Sequence, residues 1–514
     1  MLLALCAVSG RALGQEPSVQ QQLNALQQMM REMQTRHQQE MDALKKEITE
    51  QHSTIESFRK TPAPPVQTAP AAIPPALPAA KSPVADTPLF PTTDDSVVAP
   101  GTPPTQAAPP APGSTSAIAT TDSSVLSLGN LGTGPITLAG GGKTYLNISF
   151  DAIIAAAASS AHDLGALEVG DHDPQTRGFN ARNLEIALDG AVDPYFEGFG
   201  NIVFKLDSRN QTAVEVEEAF AQTTSLPLGL QVKAGQFFAP FGRINPMHPH
   251  TWDFADAALV HGRLLGADGL RGIGAQVSWV LPTPWYAQLI LAVQNGEGGT
   301  AASFRNTGDD GTQFGRLTID RQLNSISDFA FIPRLEMSFD LSPTRTLLVG
   351  TSAAFGANDT GANARTQIYG VDAFYKWKPA KSEGGWPFVK WQTEAMLRRA
   401  DAGLGLNDSF AASETLTDWG AYSQIVWGFS KGWAAGLRGD YLHMQDSPIT
   451  YEADRQSRWR ISADLTWYPS EFSKLRLQYN HDFLQSSSFL PARNEDSIFL
   501  QFEFALGAHG AHKF

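Results

Sequence analysis

The segment 240–271 carries the residues whose types and spacing could do chemistry. Two of its histidines flank a proline, and acidic residues follow a few positions later. Imidazole nitrogens and carboxylate oxygens are ligands that zinc and copper accept. The candidate ligands are His248, His250, Asp253, Asp256 and His261, and the three histidines form the predicted metal site. A two-residue spacing across a proline is poor ligand geometry, so this metal site is only one of two interpretations.

The second interpretation of this segment is mechanical. A strand-like run ends at Phe238, and Pro240, Gly242 and Pro246 then break any regular pattern. The segment carries charges of both signs and aromatic side chains that can pack it against a wall. Opposed charges across a narrow aqueous space create a field that orients dipolar solutes and filters ions. The residues predicted to form such a pore constriction are Arg243, Asp253, Asp256, Arg263 and Arg271.

Catalytic motifs are not evident in the sequence. We find no Gly-x-Ser-x-Gly elbow and no His-Glu-x-x-His helix, and we predict neither enzymatic activity nor a cofactor. The 514 residues carry 38 Lys and Arg against 52 Asp and Glu, a net charge of −14. This balance argues against nucleic acid as a partner, because phosphates need a basic surface.

The N-terminal residues have the character of an export signal. A short apolar run precedes Ala12-Leu13-Gly14, a small-x-small cleavage pattern, although a positive n-region is missing. Residues 1–14 are therefore the predicted signal peptide. They contain Cys6, the single cysteine of the chain, so we expect a mature protein without thiol chemistry or disulfides. No run of about 18 apolar residues predicts a helical membrane span.

Two further zones precede the main domain. Residues 15–60 are predicted to form a coiled-coil helix, because apolar residues recur at 4-3-4-3 spacing with a four-residue insertion after His37. A single amphipathic helix on a surface is the alternative. Residues 61–142 are rich in Pro and Ala and are predicted to be a disordered, extended linker. The seam residues are Val19, Leu23, Leu26, Met30, Met33, Met41, Leu44, Ile48, Ile55 and Phe58.

Residues 143–514 alternate apolar and polar side chains at the period of a β-strand. Sixteen such runs begin near residues 144, 180, 195, 213, 229, 272, 285, 328, 345, 365, 386, 416, 433, 458, 473 and 497. Long and short connections alternate between them, as expected for outer loops and periplasmic turns. The sequence therefore predicts an all-β fold: a 16-stranded antiparallel transmembrane β-barrel, preceded by the α-helical coiled coil and the Pro-rich linker.

The side chains along these runs suggest where lipid and water would lie. Aromatic residues cluster near strand ends, which favours interfacial girdles over ordinary core aromatics. Basic residues on the polar faces are interleaved with acidic ones, so a pure basic stripe is not evident. The basic residues predicted to face the lumen are Lys205, Lys233, Arg334, Lys390, Arg398, Arg438 and Arg460.

Two segments resemble known outer-membrane proteins. Phe514 follows the strand "SIFLQFEFALG" and resembles the terminal assembly signal of bacterial outer-membrane barrels. The segment "VEEAFAQTTSLPLGLQVKAGQFFAPFG" resembles the phosphate-selective porin O and P family, in which a Gly-Gln-Phe strand end and a Pro-Phe-Gly step recur. The resemblance covers residues 143–514 and implies a sixteen-stranded channel, usually trimeric. A coiled coil before the barrel also resembles envelope-tethering porins.

Together these features predict a porin of the bacterial outer membrane. It would let small hydrophilic solutes or ions diffuse passively through a water-filled barrel narrowed by the loop 240–271. Its other partners would be outer-membrane lipid and two further copies in a homotrimer. One alternative is a tether from the outer membrane to peptidoglycan through residues 17–142. Another is a metal-ion uptake channel, for zinc, gated at the three histidines.

Overall fold

The described part of the chain is almost entirely β-structure. The computed structural model describes residues 136–141, 144–191, 193–207, 211–306, 311–403, 412–450, 452 and 455–507. The predicted signal peptide, the coiled coil and most of the linker lie outside these residues, and so does Phe514.

The described residues contain nineteen strands and a few short helices. The strands are β1 Ile136–Gly141, β2 Thr144–Ser159, β3 Gly178–Ala191, β4 Phe196–Leu206, β5 Thr212–Thr223, β6 Leu230–Phe238, β7 Arg271–Val280, β8 Tyr286–Gln294, β9 Thr312–Gln313, β10 Arg316–Leu317, β11 Ala330–Ser342, β12 Arg345–Ala357, β13 Arg365–Trp377, β14 Phe388–Ala402, β15 Glu414–Ser430, β16 Trp433–His443, β17 Arg458–Ser470, β18 Ser473–Leu484 and β19 Arg493–Leu506. The helices are α1 Leu164–Leu167 and α2 Leu259–Leu264, with 3-10 turns at Pro227–Gly229, Pro249–Thr251, Gly299–Ala301 and Ile326–Asp328.

Sixteen of the strands in the described residues close into one antiparallel barrel, formed by β2–β8 and β11–β19. Each strand pairs with the next along the chain, and β8 pairs with β11 across a long loop. The barrel closes where β19 pairs with β2, from Ser497 opposite Ser159 to Leu506 opposite Phe150. The remaining short strands β9 and β10 form a separate hairpin in the β8–β11 loop. The predicted fold class of a 16-stranded antiparallel barrel is confirmed.

Strand β1 lies outside this count and next to the closing seam. It pairs with the first part of β2, with Ile136 opposite Ile148, below the point where β19 ends. These residues fall within the predicted linker 61–142, so the linker ends before Ile136. The prediction rested on composition, and the Gly-rich stretch around β1 gave no sign that its backbone would pair with β2.

The barrel wall is apolar outside and polar inside, the reverse of a soluble protein. In β17, Ile461 and Leu465 are 49% and 42% exposed, whereas Arg460 and Ser462, on either side of Ile461, are fully buried. Side chains alternate across a strand, so the two faces of β17 meet different surroundings. An apolar exterior over a polar interior is the pattern of a barrel embedded in lipid. Among the described residues, no helix reaches the length and apolarity needed to cross a membrane.

Connections are short at one end of the barrel and longer at the other. Turns such as 343–344 and 431–432 have two residues, whereas 239–270 and 295–329 run over the opposite end. Most of the exposed tryptophans lie near the short-turn end, although Trp419 lies nearer the other end, opposite His443. The rings of Trp433 and Trp467 stack with centroids 6.0 Å apart. Their exposure favours the girdle interpretation over that of core aromatics.

A charge placed on the exterior tests whether this face meets lipid. Leu437 lies in the middle of β16 and is 59% exposed. We expect Leu437→Arg to lower the free energy of unfolding by about 2–4 kcal/mol, because a charge at mid-bilayer depth is desolvated. Reversible unfolding from lipid vesicles in guanidinium would measure this. Leu341→Arg, beside a short turn, is the matched control with an expected loss of at most about 1 kcal/mol. Equal losses at both positions would contradict a lipid-facing exterior.

Candidate functional site inside the barrel

The loop between β6 and β7, residues 239–270, runs through the barrel interior and is here termed the inner loop. Its first residues reach the opposite wall, where the backbone N–H groups of Arg243 and Ile244 donate to the Glu394 carboxylate at 3.0 and 2.8 Å. Gly242 has a φ of 61°, and a Cβ there would lie 2.1 Å from a Glu394 oxygen. Only glycine allows this approach without displacing Glu394.

Apolar packing holds the middle of the inner loop against the wall. Loop residues such as Phe241 and Val260 share a buried cluster with wall residues such as Ile368, Met396 and Tyr422. These wall side chains point inward, where a water-filled lumen would favour polar groups. The wall of β13–β15 is therefore built to receive the loop, and burial of apolar surface stabilises the folded-in position.

Buried ion pairs hold the later part of the inner loop. Asp256 accepts from Arg438 at 2.9 Å, from Asn480 at 3.0 Å, and also from Arg460 and Gln478. Burial alone would raise the pKa of Asp256, but the Arg438 and Arg460 guanidinium groups outweigh it and hold that pKa below its usual range. Asp256 therefore joins three wall strands, β16, β17 and β18, to the loop.

Four of the five predicted constriction residues contact a group of opposite charge or an aromatic ring. The Arg243 guanidinium lies 3.9 Å from the centroid of the Phe374 ring, and Asp253 pairs with Lys390. The carbonyl of Arg263, within α2, accepts from Arg398 at 3.2 Å.

Arg271 begins β7 and is thus a wall residue. It pairs with Asp268 and Glu215. The charged residues of the predicted constriction that form ion pairs therefore contact their partners directly. The sequence interpretation placed opposite charges on the two sides of a narrow aqueous space.

The basic residues predicted to face the lumen also have partners inside the barrel. Arg334 pairs with Asp372 at 2.6 Å and Arg398 with Asp418 at 2.6 Å. The partners include Asp171 and Glu215 for Lys205, the Phe220 ring for Lys233, Asp372 and Glu336 for Arg334, Asp253 for Lys390, Asp418 for Arg398, Asp256 and Asp440 for Arg438, and Glu168, Asp256 and Asp482 for Arg460. Six of these seven positive charges are thus compensated locally by carboxylates.

The structure brings two of the three predicted metal-site histidines together. The rings of His248 and His250 stack with centroids 5.8 Å apart, and both face Glu185. His261 has a different neighbour, since its Nε2 lies 3.2 Å from Asn245 Oδ1. Burial lowers the pKa of His261 to about 4. The three histidines therefore do not form one ligand set.

A group of acidic residues around His248 was not predicted from the sequence. Glu185, Glu217 and Glu218 come from β3 and β5, and each has a carboxylate oxygen within 3.4 Å of a His248 ring nitrogen. Burial alone would lower the pKa of His248, but these carboxylates outweigh it and raise the pKa well above its usual range.

A β-bulge explains why two consecutive glutamates both lie inside. The register of β4 and β5 shifts between Asn201 and Ile202, so Glu217 is an extra residue on β5. A bulge turns a side chain that strict alternation would send outward. The sequence signal was the doublet in "VEVEEAF", where the alternation breaks.

A closed sheet with an apolar outside and a charged inside defines the outer-membrane class of β-barrel proteins. The chain is therefore a protein of the bacterial outer membrane. It belongs to the same family as an uncharacterized protein of Aquifex aeolicus (strain VF5), to which it is 32% identical over 373 residues, or 69% of this chain and 73% of that protein. No established family profile matches the sequence.

Solved outer-membrane structures are similar to the barrel at low sequence identity. The outer membrane channel DcaP of Acinetobacter baumannii is 10% identical, with 70% of this chain and 97% of that chain covered and a TM-score of 0.47. An anion-selective porin from Comamonas acidovorans is 9% identical, with 70% and 99% covered and a TM-score of 0.44. Function at this level of similarity has to be argued from the geometry of the chain itself.

Proposed function

We propose that the protein is a porin through which small hydrophilic solutes or ions diffuse passively, without catalysis and without a cofactor. The observation that carries this proposal is a sixteen-stranded barrel whose charged interior is narrowed by the inner loop. Barrels of sixteen strands are wide enough to enclose an aqueous channel. A loop folded inward reduces the cross-section and sets the size of solute that can pass.

We further propose that selectivity for phosphate is weak, in contrast to what the resemblance to the phosphate-selective porin O and P family implies. Anion selectivity needs basic groups whose charge remains available to the solute. The seven basic residues predicted to face the lumen all contact carboxylates or an aromatic ring. Their fields are largely cancelled before they reach a passing ion.

Planar-bilayer recording tests both proposals. Purified full-length protein is expected to insert in discrete conductance steps, grouped in threes if the barrels form the proposed homotrimer. In a salt gradient the reversal potential should lie close to zero, because paired charges discriminate poorly between cation and anion. Detergent without protein is the control. Insertion without conductance would refute the channel, and a reversal potential near the anion limit would refute weak selectivity.

The tether to peptidoglycan stays a prediction, because it depends on residues 17–142, nearly all of which lie outside the described residues. We favour the channel over zinc uptake gated by His248, His250 and His261, because His261 contacts Asn245 and is not part of the cluster around Glu185.

A further inference from the structure

We propose that Glu185, Glu217 and His248 bind one zinc ion, with the side-chain amide of Asn201 as the fourth ligand. The site lies where the inner loop crosses β3, β4 and β5. It does not depend on the channel function, since a resident ion could be held there whether or not solutes pass.

The spacing of the three principal ligand atoms suits zinc. His248 Nδ1 lies 3.0 Å from Glu217 Oε2 and 3.4 Å from Glu185 Oε1. The three residues can each offer one ligand atom with all of these atoms within 4.8 Å of one another. Tetrahedral zinc with bonds of about 2.0–2.1 Å separates its ligand atoms by about 3.3 Å. The observed distances therefore leave room for an ion with little rearrangement.

Asn201 supplies an independent sign of a missing partner. Its side chain is fully buried, and within the described residues its Oδ1 has no hydrogen-bond donor. Its Nδ2 lies 2.8 Å from Glu217 Oε2 and 3.0 Å from His248 Nδ1. A half-turn of the amide about χ2 brings Oδ1 to the same place. In that position Oδ1 would face the Glu217 oxygen and the His248 nitrogen, and all three atoms are acceptors. A cation can bind three acceptors at this spacing, whereas a single proton cannot.

Hydrogen bonding alone accounts poorly for the contacts of His248 Nδ1. Glu185, Glu217 and the Asn201 amide all approach this one nitrogen. A ring nitrogen carries either one proton or one lone pair, so it cannot donate well to both carboxylates and also accept from the amide. A divalent ion at the centre would bind the nitrogen and both carboxylate oxygens at once.

The surrounding residues form the outer shell that zinc sites usually have. Glu218 Oε2 lies 3.1 Å from His248 Nε2, so this carboxylate can orient the imidazole. His250 Nδ1 lies 3.2 Å from the second oxygen of Glu185, and His172 Nε2 lies 3.1 Å from the second oxygen of Glu217. Each carboxylate is thus held in place by an imidazole that does not occupy the ion position. An ion here would fix the inner loop to the wall.

Calorimetric titration of zinc chloride into the full-length protein in detergent, after removal of metal by chelator, tests the proposal. We expect one tightly bound ion per chain. Glu217→Gln should weaken it by more than a hundredfold, and the outer-shell change Glu218→Gln by about 10–100-fold. His481→Ala is the matched control, since this histidine contacts a single carboxylate, that of Asp496, at 2.6 Å. Its zinc affinity should equal that of the unmodified protein.

Two outcomes would overturn the site: no zinc bound, or binding that Glu217→Gln leaves unchanged. If Glu217→Gln fails to fold, zinc-edge X-ray absorption of the unmodified protein and of His248→Ala still decides. One imidazole among oxygen ligands is expected, and it should be absent from His248→Ala. Two or more imidazoles, or one that persists in His248→Ala, would place the ion elsewhere, for instance at Asp171, His172 and Asp268. Because binding is measured in detergent, loss of the zinc site and loss of the channel are separable results.

Discussion

Replacing Arg460 with methionine is expected to lower the free energy of unfolding by about 3–5 kcal/mol. Arg460 is fully buried and donates to both oxygens of Glu168 at 2.8 Å, as well as to Asp256 and Asp482. Asp256 and Asp482 keep other arginines after the change, namely Arg438 and Arg458. Burial raises the pKa of Glu168 to about 8 even beside Arg460. Without this guanidinium, Glu168 would be left as a buried acid that must either take up a proton or remain an unpaired charge, and both cost stability. Equilibrium unfolding in detergent, followed by tryptophan fluorescence, would measure the loss.

A double variant separates charge from packing in this experiment. Adding Glu168→Gln to Arg460→Met removes the unpaired carboxylate, and we expect it to recover much of the stability. Lys431→Met is the surface control, because Lys431 and Glu383 are 65% and 77% exposed and their pair should contribute less than about 1 kcal/mol. If the double variant were no more stable than Arg460→Met alone, lost packing rather than the unpaired charge would explain the result.

Removing the central part of the inner loop should have the largest effect on conduction. Joining residue 248 to residue 265 with a short Gly-Ser link would take out α2 and two loop aspartates that pair with wall cations, Asp253 and Asp256. We expect single-channel conductance to rise at least about twofold, because a sixteen-stranded wall encloses an aqueous channel once its filling is gone. Planar-bilayer recording would measure it.

The same deletion should also change ion selectivity. Lys390 would lose its partner Asp253, and Arg438 and Arg460 would lose Asp256. Lys390 would then face water without Asp253, whereas Arg438 keeps Asp440 and Arg460 keeps Glu168 and Asp482. Because the interior loses more negative charge than positive charge, we expect the reversal potential to move toward anion selectivity. The double change Asp253→Asn and Asp256→Asn is the control that removes the charges but keeps the loop. Unchanged conductance after the deletion would mean that the channel is narrowest elsewhere.

The barrel could be predicted closely from the sequence. All sixteen predicted strand starts fall within four residues of the observed ones. Period-two alternation is a local property of the sequence. It marks both faces of each strand, because one face meets lipid and the other faces the barrel interior. The inward direction of Arg460 or Arg438 followed from the same rule. The identity of their partners did not, because Asp256 is about 180 to 200 residues away in the chain.

Two features of the barrel interior could not be predicted from the alternation within single strands. The inward-facing Ile368 and Met396 interrupt a polar face, and only the docked loop explains them. The inward turn of Glu217 results from the bulge opposite Asn201, and a bulge depends on the register of two strands rather than on either sequence alone. The carboxylate cluster around His248 was missed for that reason.

Strand β1 covers an otherwise unpaired strand edge at the seam where the barrel closes. β19 stops opposite Phe150, and without β1 the stretch of β2 from Thr144 to Ile148 would present bare amide and carbonyl groups at the seam. Such an open margin can anneal to a strand of another molecule. Because β1 pairs with this stretch of β2, the backbone groups at the seam are hydrogen-bonded within the same chain. A variant trimmed to begin at Thr144 would leave them unpaired, as a template for misassembly.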